Sequence, residues 1–323
     1  MKTSVALCTY NGEKYIKEQL DSILKQTVKV DEIVVGDDGS TDNTLTIVQE
    51  VLSNSGIPFK VMVNPGPKGV SGNFYNTISA CSNEIVFTCD QDDVWVETKV
   101  EEMLKCFNEN EKALLVFSDA TLVDGALKPI NCNLWKTIPF KPLKDNSKMF
   151  DLLLGSRVVT GACMAVKRDF AVFCGVARGD WLHDAWFAIN ASVLGDIVPL
   201  PEQLTLYRQH GNNTIGASNI TSSQRVKGYF KNFEIMPAYW GARLERYTTF
   251  KELSGDNLTS EQLKKLDKCI GFWKDLTSIN ECNKFKGLCI VIKNYFNFNY
   301  RKYYSGCRGA IRDFLVVLFR SKR

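Results

Sequence analysis

Three carboxylates fall within four positions at Asp90, Asp92 and Asp93, directly after a run from Glu84 to Cys89 with the length and composition of a buried strand. Side chains alternate along a strand, so Asp90 and Asp92 are expected on one side, at the point where the strand stops. Two carboxylates there repel unless something positive lies between them. A hard divalent cation, Mg²⁺ or Mn²⁺, takes oxygen ligands and often bridges substrate phosphates. The plain alternative is a solvated turn of acids. A calcium-binding EF-hand is excluded, because neither this cluster nor the acidic stretch Asp37 to Asp42 has the glycine and closing glutamate that such a loop needs.

The elements that must position these acids are legible upstream. Ser4 to Thr9 reads as a short buried strand, and Glu13 to Gln26 as a helix with apolar residues at Tyr15, Ile16, Leu20, Ile23 and Leu24. Ile33 to Gly36 is a second strand running into Asp37-Asp38-Gly39-Ser40-Thr41-Asp42, a turn rich in helix-starting residues before the helix Thr44 to Leu52. A third strand, Phe59 to Asn64, leads into the loop Pro65 to Gly69, and the helix Asn73 to Cys81 precedes the strand that carries Asp90. Strand and helix thus alternate four times, which predicts an α/β fold with a Rossmann-like, doubly wound, mostly parallel sheet flanked by helices. Ligands in such sheets sit beyond the carboxyl ends of the strands, where Tyr10, Asp38 and Asp90 to Asp93 all fall. Lys68, ending the Pro-Gly loop, either adds charge near a phosphate or faces solvent.

Leu7-Cys8-Thr9-Tyr10-Asn11-Gly12, Val35-Gly36-Asp37-Asp38-Gly39-Ser40-Thr41-Asp42 and Cys89-Asp90-Gln91-Asp92-Asp93-Val94-Trp95 resemble the three N-terminal motifs of family 2 glycosyltransferases of the GT-A fold. Leu182-His183-Asp184-Ala185-Trp186 and Tyr207-Arg208-Gln209-His210-Gly211 extend the resemblance over about residues 2–215, toward a bacterial rhamnosyltransferase-like branch that builds surface polysaccharide. The resemblance implies that Tyr10 and Asp38 hold the donor's pyrimidine base, with Cys8, Gln91 and Asp90 also on the donor side. It implies that Asp92 is the direct metal ligand, with Asp90 nearer the ribose, and that Asp184 is the catalytic base. His210 would complete the metal shell or bond a phosphate, on the segment where Arg208 also faces the diphosphate. Gly161 and Ala162 would lie under donor sugar and acceptor. His183 replaces the acid that precedes the base in many relatives, leaving it an orienting neighbour or an acceptor contact. Trp181 and Trp186 flank it, and aromatic faces beside a base often line a sugar site.

The implied reaction is a single displacement at the anomeric carbon with inversion, in which the base takes a proton from the acceptor hydroxyl as the nucleoside diphosphate leaves. The branch suggests dTDP-β-L-rhamnose as donor and a growing, lipid-linked oligosaccharide as acceptor; UDP-hexose, UDP-N-acetylhexosamine and UDP-galactose are the alternatives. A non-catalytic partner of an assembly complex is the rival of a different class. A nucleotidyltransferase is disfavoured, since Tyr10-Asn11-Gly12-Glu13 lacks the Gly-rich, cationic phosphate loop expected after the first strand.

Composition bounds the rest. With 45% apolar residues in 323, a full core is available. The 11 cysteines form no Cys-x-x-Cys pair and there are two histidines, so free thiols in a reducing compartment are expected rather than structural zinc. No signal peptide is apparent, and Phe314 to Phe319 is far too short to span a bilayer, so a cytoplasmic protein is expected. Residues 1–220, the expected catalytic domain, carry a net −7, whereas 221–323, expected to be a basic and mainly helical C-terminal region, carry +11. From Lys284 onward ten basic residues face a single acid, Asp313, and aromatics are interleaved. Such a segment suits a peripheral site on anionic lipid at the inner face of the membrane; the plain alternative is a packed helical subdomain with wet cations, and nucleic acid is not expected. Ile311, Phe314, Leu315 and Leu318 recur at helical spacing, and removal of the chain after Tyr300 is expected to spare sugar-nucleotide hydrolysis. Homodimerisation stays open.

Overall fold

The computed structural model describes residues 1–138, 140–143, 145–209 and 235–319. It divides into two compact units: residues 1–149, 157–177 and 182–217 form one, and 150–156, 178–181 and 218–323 the other. The second unit therefore recruits two short segments from within the first part of the chain, which a single cut at residue 220 does not anticipate; that cut itself lies outside the described residues.

In the first unit the elements run β1 (Thr3–Thr9), α1 (Ile16–Leu24), β2 (Glu32–Asp37), α2 (Thr44–Ser53), β3 (Phe59–Val63), α3 (Val70–Ala80), β4 (Ile85–Asp90), β5 (Val94–Trp95), α4 (Lys99–Glu109), β6 (Ala113–Val123), β7 (Pro129–Asn133) and α5 (Leu134–Thr137). After α6 (Met149–Leu153), which crosses between the units, come β8 (Met164–Lys167), α7 (Arg168–Cys174), α8 (His183–Leu194) and β9 (Asp196–Arg208). Among the described residues they build one mixed sheet in the order β3-β2-β1-β4-β8-β6-β9-β5, with β7 beside β6. The first four strands are parallel, β6 and β9 pair in parallel, and β8 and β5 run antiparallel to their neighbours. This is an α/β arrangement, its first four strands parallel as the sequence predicts.

The sheet reads as unbroken apolar sequence because helices cover both its faces. On one face Val5, Leu7, Ile33, Val35, Phe87 and Cys89 pack against Ile16, Leu20, Ile23, Val48, Val100 and Met103 of α1, α2 and α4, all inaccessible to solvent. The alternate residues meet α3. There Gly36 lies so close to the helix that a β-carbon would come within 1.9 Å of Thr77 Oγ1, and Asn73 Nδ2 donates to the Gly36 carbonyl at 2.8 Å. Strand order reverses between β2-β1 and β4, so the crevice of a doubly wound sheet opens beside the ends of β1 and β4. One expectation fails here: β4 stops at Asp90 and the chain turns through Gln91 and Asp92, so strand alternation does not govern where Asp92 lies.

The second unit is a helical assembly of Met236–Ser254, Ser260–Ser278, Lys284–Phe296, Asn299–Tyr303 and Cys307–Phe319. Thr259 opens the second of these with a capping box, its hydroxyl accepting from the Gln262 amide while the Gln262 side chain accepts from the Thr259 N–H. Trp240, Phe250, Leu266, Phe272, Trp273 and Tyr300 are among its buried residues. Trp181 belongs to this core: it is 3% exposed, its indole N–H donates to the Arg246 carbonyl, and the Arg246 guanidinium stacks 3.6 Å from its ring centre. The expected acceptor-lining role of Trp181 is therefore corrected, because the ring is buried with a guanidinium over it and its polar edge is already engaged. The helix Cys307–Phe319 buries Ala310, Asp313, Val316 and Val317 yet exposes Ile311, Phe314 and Leu318. It is part of a packed core and carries an open apolar face as well, so cutting after Tyr300 would open the unit.

Filling the close approach at Gly36 tests this architecture. Gly36→Val should lower the unfolding free energy by about 1–3 kcal/mol or more through overpacking against Thr77, measured by urea denaturation. An unchanged midpoint would mean that α3 can move off the sheet at no cost.

Candidate active site

At the end of β1 the chain is locked by side chains that mimic backbone pairing. Gln91 accepts from the Tyr10 N–H at 2.8 Å and donates to the Tyr10 carbonyl at 2.9 Å. Its amide would collide with any β-carbon on Gly12, 2.1 Å from Gln91 Oε1. Gln91 is thus a tie between the ends of β1 and β4, a correction to its expected contact with the donor. Asn11, at φ 49°, uses its side-chain oxygen to cap the Thr41 N–H at 2.9 Å. Tyr10 is left 58% exposed at the strand end, free to offer its ring to a planar base. Cys8 points the other way. It is buried against α3, its thiol bonds Thr77 Oγ1 at 3.6 Å, and burial pushes its pKa well up, so the donor-side expectation for Cys8 is corrected too.

The acid pair Asp37-Asp38 divides its work. Asp37 is buried and accepts from Thr9 Oγ1, Ser40 Oγ and the Gly39 and Ser40 N–H groups at 2.5–2.9 Å. Burial raises its pKa, but these bonds outweigh that and hold the carboxyl below its ordinary value. Asp38 accepts from Asn64 Nδ2 at 2.7 Å and the Gly69 N–H at 2.8 Å, with Lys68 Nζ 3.7 Å away. Lys68 also donates to the Asn64 carbonyl at 2.9 Å, so its charge sits beside Asp38.

The strand-end acids meet a distant partner. Burial, then Asp92, then Asp184 push the Asp90 carboxyl up to about 7, against a lowering pull from Lys99. Asp184 thus shares one electrostatic site with Asp90 and Asp92, although α8 lies far along the chain. Asp93 is 1% exposed, accepts from the Arg208 N–H at 2.9 Å, and is held strongly toward its neutral form by burial and by Asp92. Lys99 is the residue that the sequence did not reveal, since a lone lysine reads as solvent-facing. It is fully buried, donates to the Ala162 carbonyl at 2.7 Å and to Thr205 Oγ1 at 3.0 Å, and lies 4.3 Å from the Trp95 ring centre. Burial lowers its pKa, and the surrounding thiols and acids pull it back up. Arg208, expected at the diphosphate, is 1% exposed and committed inward: its guanidinium bonds the carbonyls of Asp92 and Gly125 and the carboxylate of Glu18, and lies over the Tyr15 ring. It fixes the turn that presents Asp92, which corrects that expectation. His210 lies outside the described residues.

Asp184 is held at the first turn of α8. Its carboxylate accepts from the Gly161 N–H at 3.2 Å and from the Ala185 N–H at 2.6 Å, and the N-terminal end of the helix favours its charge. His183 stacks on Phe74 with ring centres 4.0 Å apart, is 5% exposed, and among the described residues neither ring nitrogen has a hydrogen-bond partner. Burial holds its pKa down against the raising influence of Asp184. Gly161 makes room for it, because a β-carbon there would lie 2.5 Å from His183 Nε2. Ala162 is buried and lends its carbonyl to Lys99. Trp186 is 1% exposed with its indole N–H on the Cys174 carbonyl, so it is core rather than sugar-facing, a further correction.

Whether a divalent cation suits this arrangement follows from the donor set. Asp90 and Asp92 offer hard oxygen ligands, and the mutual repulsion that raises Asp90 is the condition a cation relieves. Among the described residues no three His, Cys, Asp or Glu side chains form a complete cage, so substrate oxygens would have to supply part of the shell. The residues present fit Mg²⁺ or Mn²⁺ bound jointly with a diphosphate.

Comparison with known proteins gives the family and the fold. The profile described as Glycosyl transferase family 2 matches residues 4–171. The dTDP-rhamnosyl transferase RfbG of Shigella flexneri is 30% identical over 322 residues, covering 90% of this chain and 100% of that protein. Among solved structures, S. aureus TarS 1-349 in complex with UDP-GlcNAc superimposes with a TM-score of 0.54 at 17% identity, over 98% of this chain and 91% of that 1-349 chain. The mannosyltransferase PcManGT from Pyrobaculum calidifontis, in complex with GDP-Man and Mn²⁺, does so with a TM-score of 0.50 at 13% identity, over 99% and 88%. At these identities both structures speak for the fold.

The raised Asp90 carboxyl has a thermodynamic signature. Its folded pKa of about 7 lies above the unfolded carboxylate range. Between the two values the folded chain holds a proton that the unfolded chain has released, so stability falls as pH rises. Metal-free protein should therefore lose thermal stability from about pH 5 to about pH 8, and Asp90→Asn should flatten that slope and melt higher at the alkaline end. Identical slopes for the two proteins in calorimetry would count against this account.

Proposed function

The chain belongs to glycosyl transferase family 2 and is a glycosyltransferase, and from that premise we propose that it transfers L-rhamnose from dTDP-β-L-rhamnose to a hydroxyl of a growing, lipid-linked bacterial surface polysaccharide, with inversion. The observation that carries the reading is the tie between Asp184 and the end of β4: its carboxylate accepts from the Gly161 N–H at 3.2 Å, and the Gly161 carbonyl accepts from the hydroxyl of Thr88, two residues before Asp90. The donor assignment draws on the full-length similarity to a relative named for dTDP-rhamnose. Uridine donors are the alternative that the same assay resolves, since a TarS complex with UDP-GlcNAc shares the fold. Eleven free cysteines, five of them buried, suit the reducing cytoplasm that the reading requires.

In this mechanism Tyr10 offers a ring to the donor base and Asp38 accepts from its imide N–H, a charge-assisted hydrogen bond set up by Asn64, Gly69 and Lys68. Asp184, fixed by Gly161 and Ala185, takes the proton from the acceptor hydroxyl as its oxygen attacks the anomeric carbon. The bond to the nucleoside diphosphate breaks on the opposite face. Asp90 and Asp92 would hold Mg²⁺ or Mn²⁺, which when bound supplies positive charge to the departing diphosphate. Lys99 anchors the Ala162 carbonyl behind Gly161, so the turn under Asp184 is supported from within.

Two outcomes test this. Asp184→Asn keeps size and most hydrogen bonding but cannot take the proton, so kcat should fall about 10²–10⁴-fold with donor affinity little changed. Survival of kcat with loss of donor binding would make Asp184 a binding residue. Incubation with a panel of dTDP- and UDP-sugars should give nucleoside diphosphate release that EDTA abolishes and Mg²⁺ or Mn²⁺ restores. Asp92→Ala should abolish release while leaving the thermal transition cooperative. Full activity in excess EDTA would remove the metal from the mechanism.

A further inference from the structure

Nine of the eighteen large apolar side chains that are exposed among the described residues fall after residue 284. They are not scattered. On the helix Lys284–Phe296, Phe285, Ile292 and Phe296 repeat at helical spacing, and on Cys307–Phe319 so do Ile311, Phe314 and Leu318. Phe285, Phe296 and Ile311 are 77%, 72% and 57% exposed. The two stripes border an apolar cavity of about 260 Å³ lined by Ile292, Tyr295, Phe296, Cys307, Ile311 and Phe314. Packing does not account for them, because each helix already buries a different side: Gly287, Val291 and Asn294 on the first, Ala310, Val316 and Val317 on the second. An apolar patch of this kind on a helical surface marks an interaction site.

The charges around it choose the partner. Lys284, Lys286, Lys293, Arg301, Lys302 and Arg308 are all exposed on this part of the chain. The single acid between residues 284 and 319, Asp313, is completely buried and accepts from the Tyr300 hydroxyl at 3.1 Å. Lys286 and Lys293 follow the stripe residues Phe285 and Ile292 by one position, so they border the apolar face, although Lys293 is paired with Asp275 at 3.1 Å. A second copy docked on the same face would set cations against cations. An anionic lipid surface presents the opposite charge and an apolar interior behind it. No described helix is long and apolar enough to cross a membrane, so contact would be superficial.

We propose that the paired stripes of Lys284–Phe296 and Cys307–Phe319 form a docking face for an anionic lipid bilayer. Phe285, Phe296, Ile311 and Phe314 enter the boundary between headgroups and acyl chains, and the flanking Lys and Arg residues contact the headgroups. Binding is reversible and weakens as salt screens the charges. The inference is independent of the donor, the acceptor and the catalytic base.

Co-sedimentation of the full-length protein with vesicles tests it. Phosphatidylglycerol–phosphatidylcholine vesicles at low salt should pellet the protein, with partitioning at least about tenfold weaker on phosphatidylcholine alone or in about 0.5 M salt. The double variant Phe296→Ser, Ile311→Ser should lower partitioning by about tenfold or more. Lys286→Glu with Arg301→Glu should lower it by about fivefold per charge removed at low salt. All four positions are open to solvent, so circular dichroism and sugar-nucleotide hydrolysis in solution should match the unaltered protein. The proposal falls if the unaltered protein stays in the supernatant at low salt, or if both double variants pellet as it does. It falls equally if sedimentation equilibrium shows a dimer that the Phe296→Ser, Ile311→Ser protein loses, which would assign the face to a second copy.

Discussion

Repulsion among carboxylates brought together at the carboxyl edge of the sheet is the constraint on which the rest depends. Asp90, Asp92, Asp93 and Asp184 come from two distant stretches of chain, and Asp93 is almost wholly buried. In water such a group would disperse; beside low-dielectric protein each charge raises the cost of its neighbour. Two buried cations answer this from behind. Lys99 lies beneath the cluster, tied to Ala162 and Thr205, and Arg208 closes the Gln91–Asp92 turn through the Asp92 carbonyl while its charge is matched by Glu18. Neither cation cancels the repulsion at the open side, and in the proposed function a divalent cation held by Asp90 and Asp92 would relieve that residual cost.

Holding the cluster open requires rigid neighbours. Gln91 bridges both backbone groups of Tyr10, Asp37 gathers four donors into one turn, and Asn11 caps Thr41 from a left-handed backbone conformation. Where bonds do not suffice, close approach does. Gly12 admits the Gln91 amide and Gly161 admits the His183 ring, each against the atoms that would otherwise drift. Among the described residues His183 keeps two unpartnered nitrogens in a buried position, an unusual cost for a native core. The site is thus preorganised before any ligand arrives.

The helical unit obeys a different economy of surface. The last described helix, Cys307–Phe319, is rich in apolar residues, and tertiary packing consumes the side with Ala310, Asp313, Val316 and Val317. What remains is an apolar face rimmed by cations, set on a core that includes Trp181 and the Arg246 guanidinium. Dense basic and aromatic sequence therefore gives packing and exposure at once, because a helix presents separate faces to separate partners.

Local pattern alone determined the alternation of β1 to β4 with α1 to α3, since apolar runs and helical spacing are set by residues close in sequence. It also set the placing of Tyr10, Asp38, Asp90 and Asp92 at strand ends, because polar residues that interrupt such runs must lie where strands stop. Tertiary structure decided which of those residues face the crevice. Cys8 and Tyr10 differ by two positions, yet one packs under α3 and the other opens to solvent, since the strand ends between them. Trp181, Trp186, Gln91 and Arg208 looked like ligand contacts by type, and each proved to be bonded inward to a backbone carbonyl that no local pattern announces. Lys99 shows the converse: its place under the acids depends on Ala162 and Thr205, which only the folded sheet brings to it. Side-chain chemistry is written residue by residue, but burial and partnership belong to contacts made across the chain.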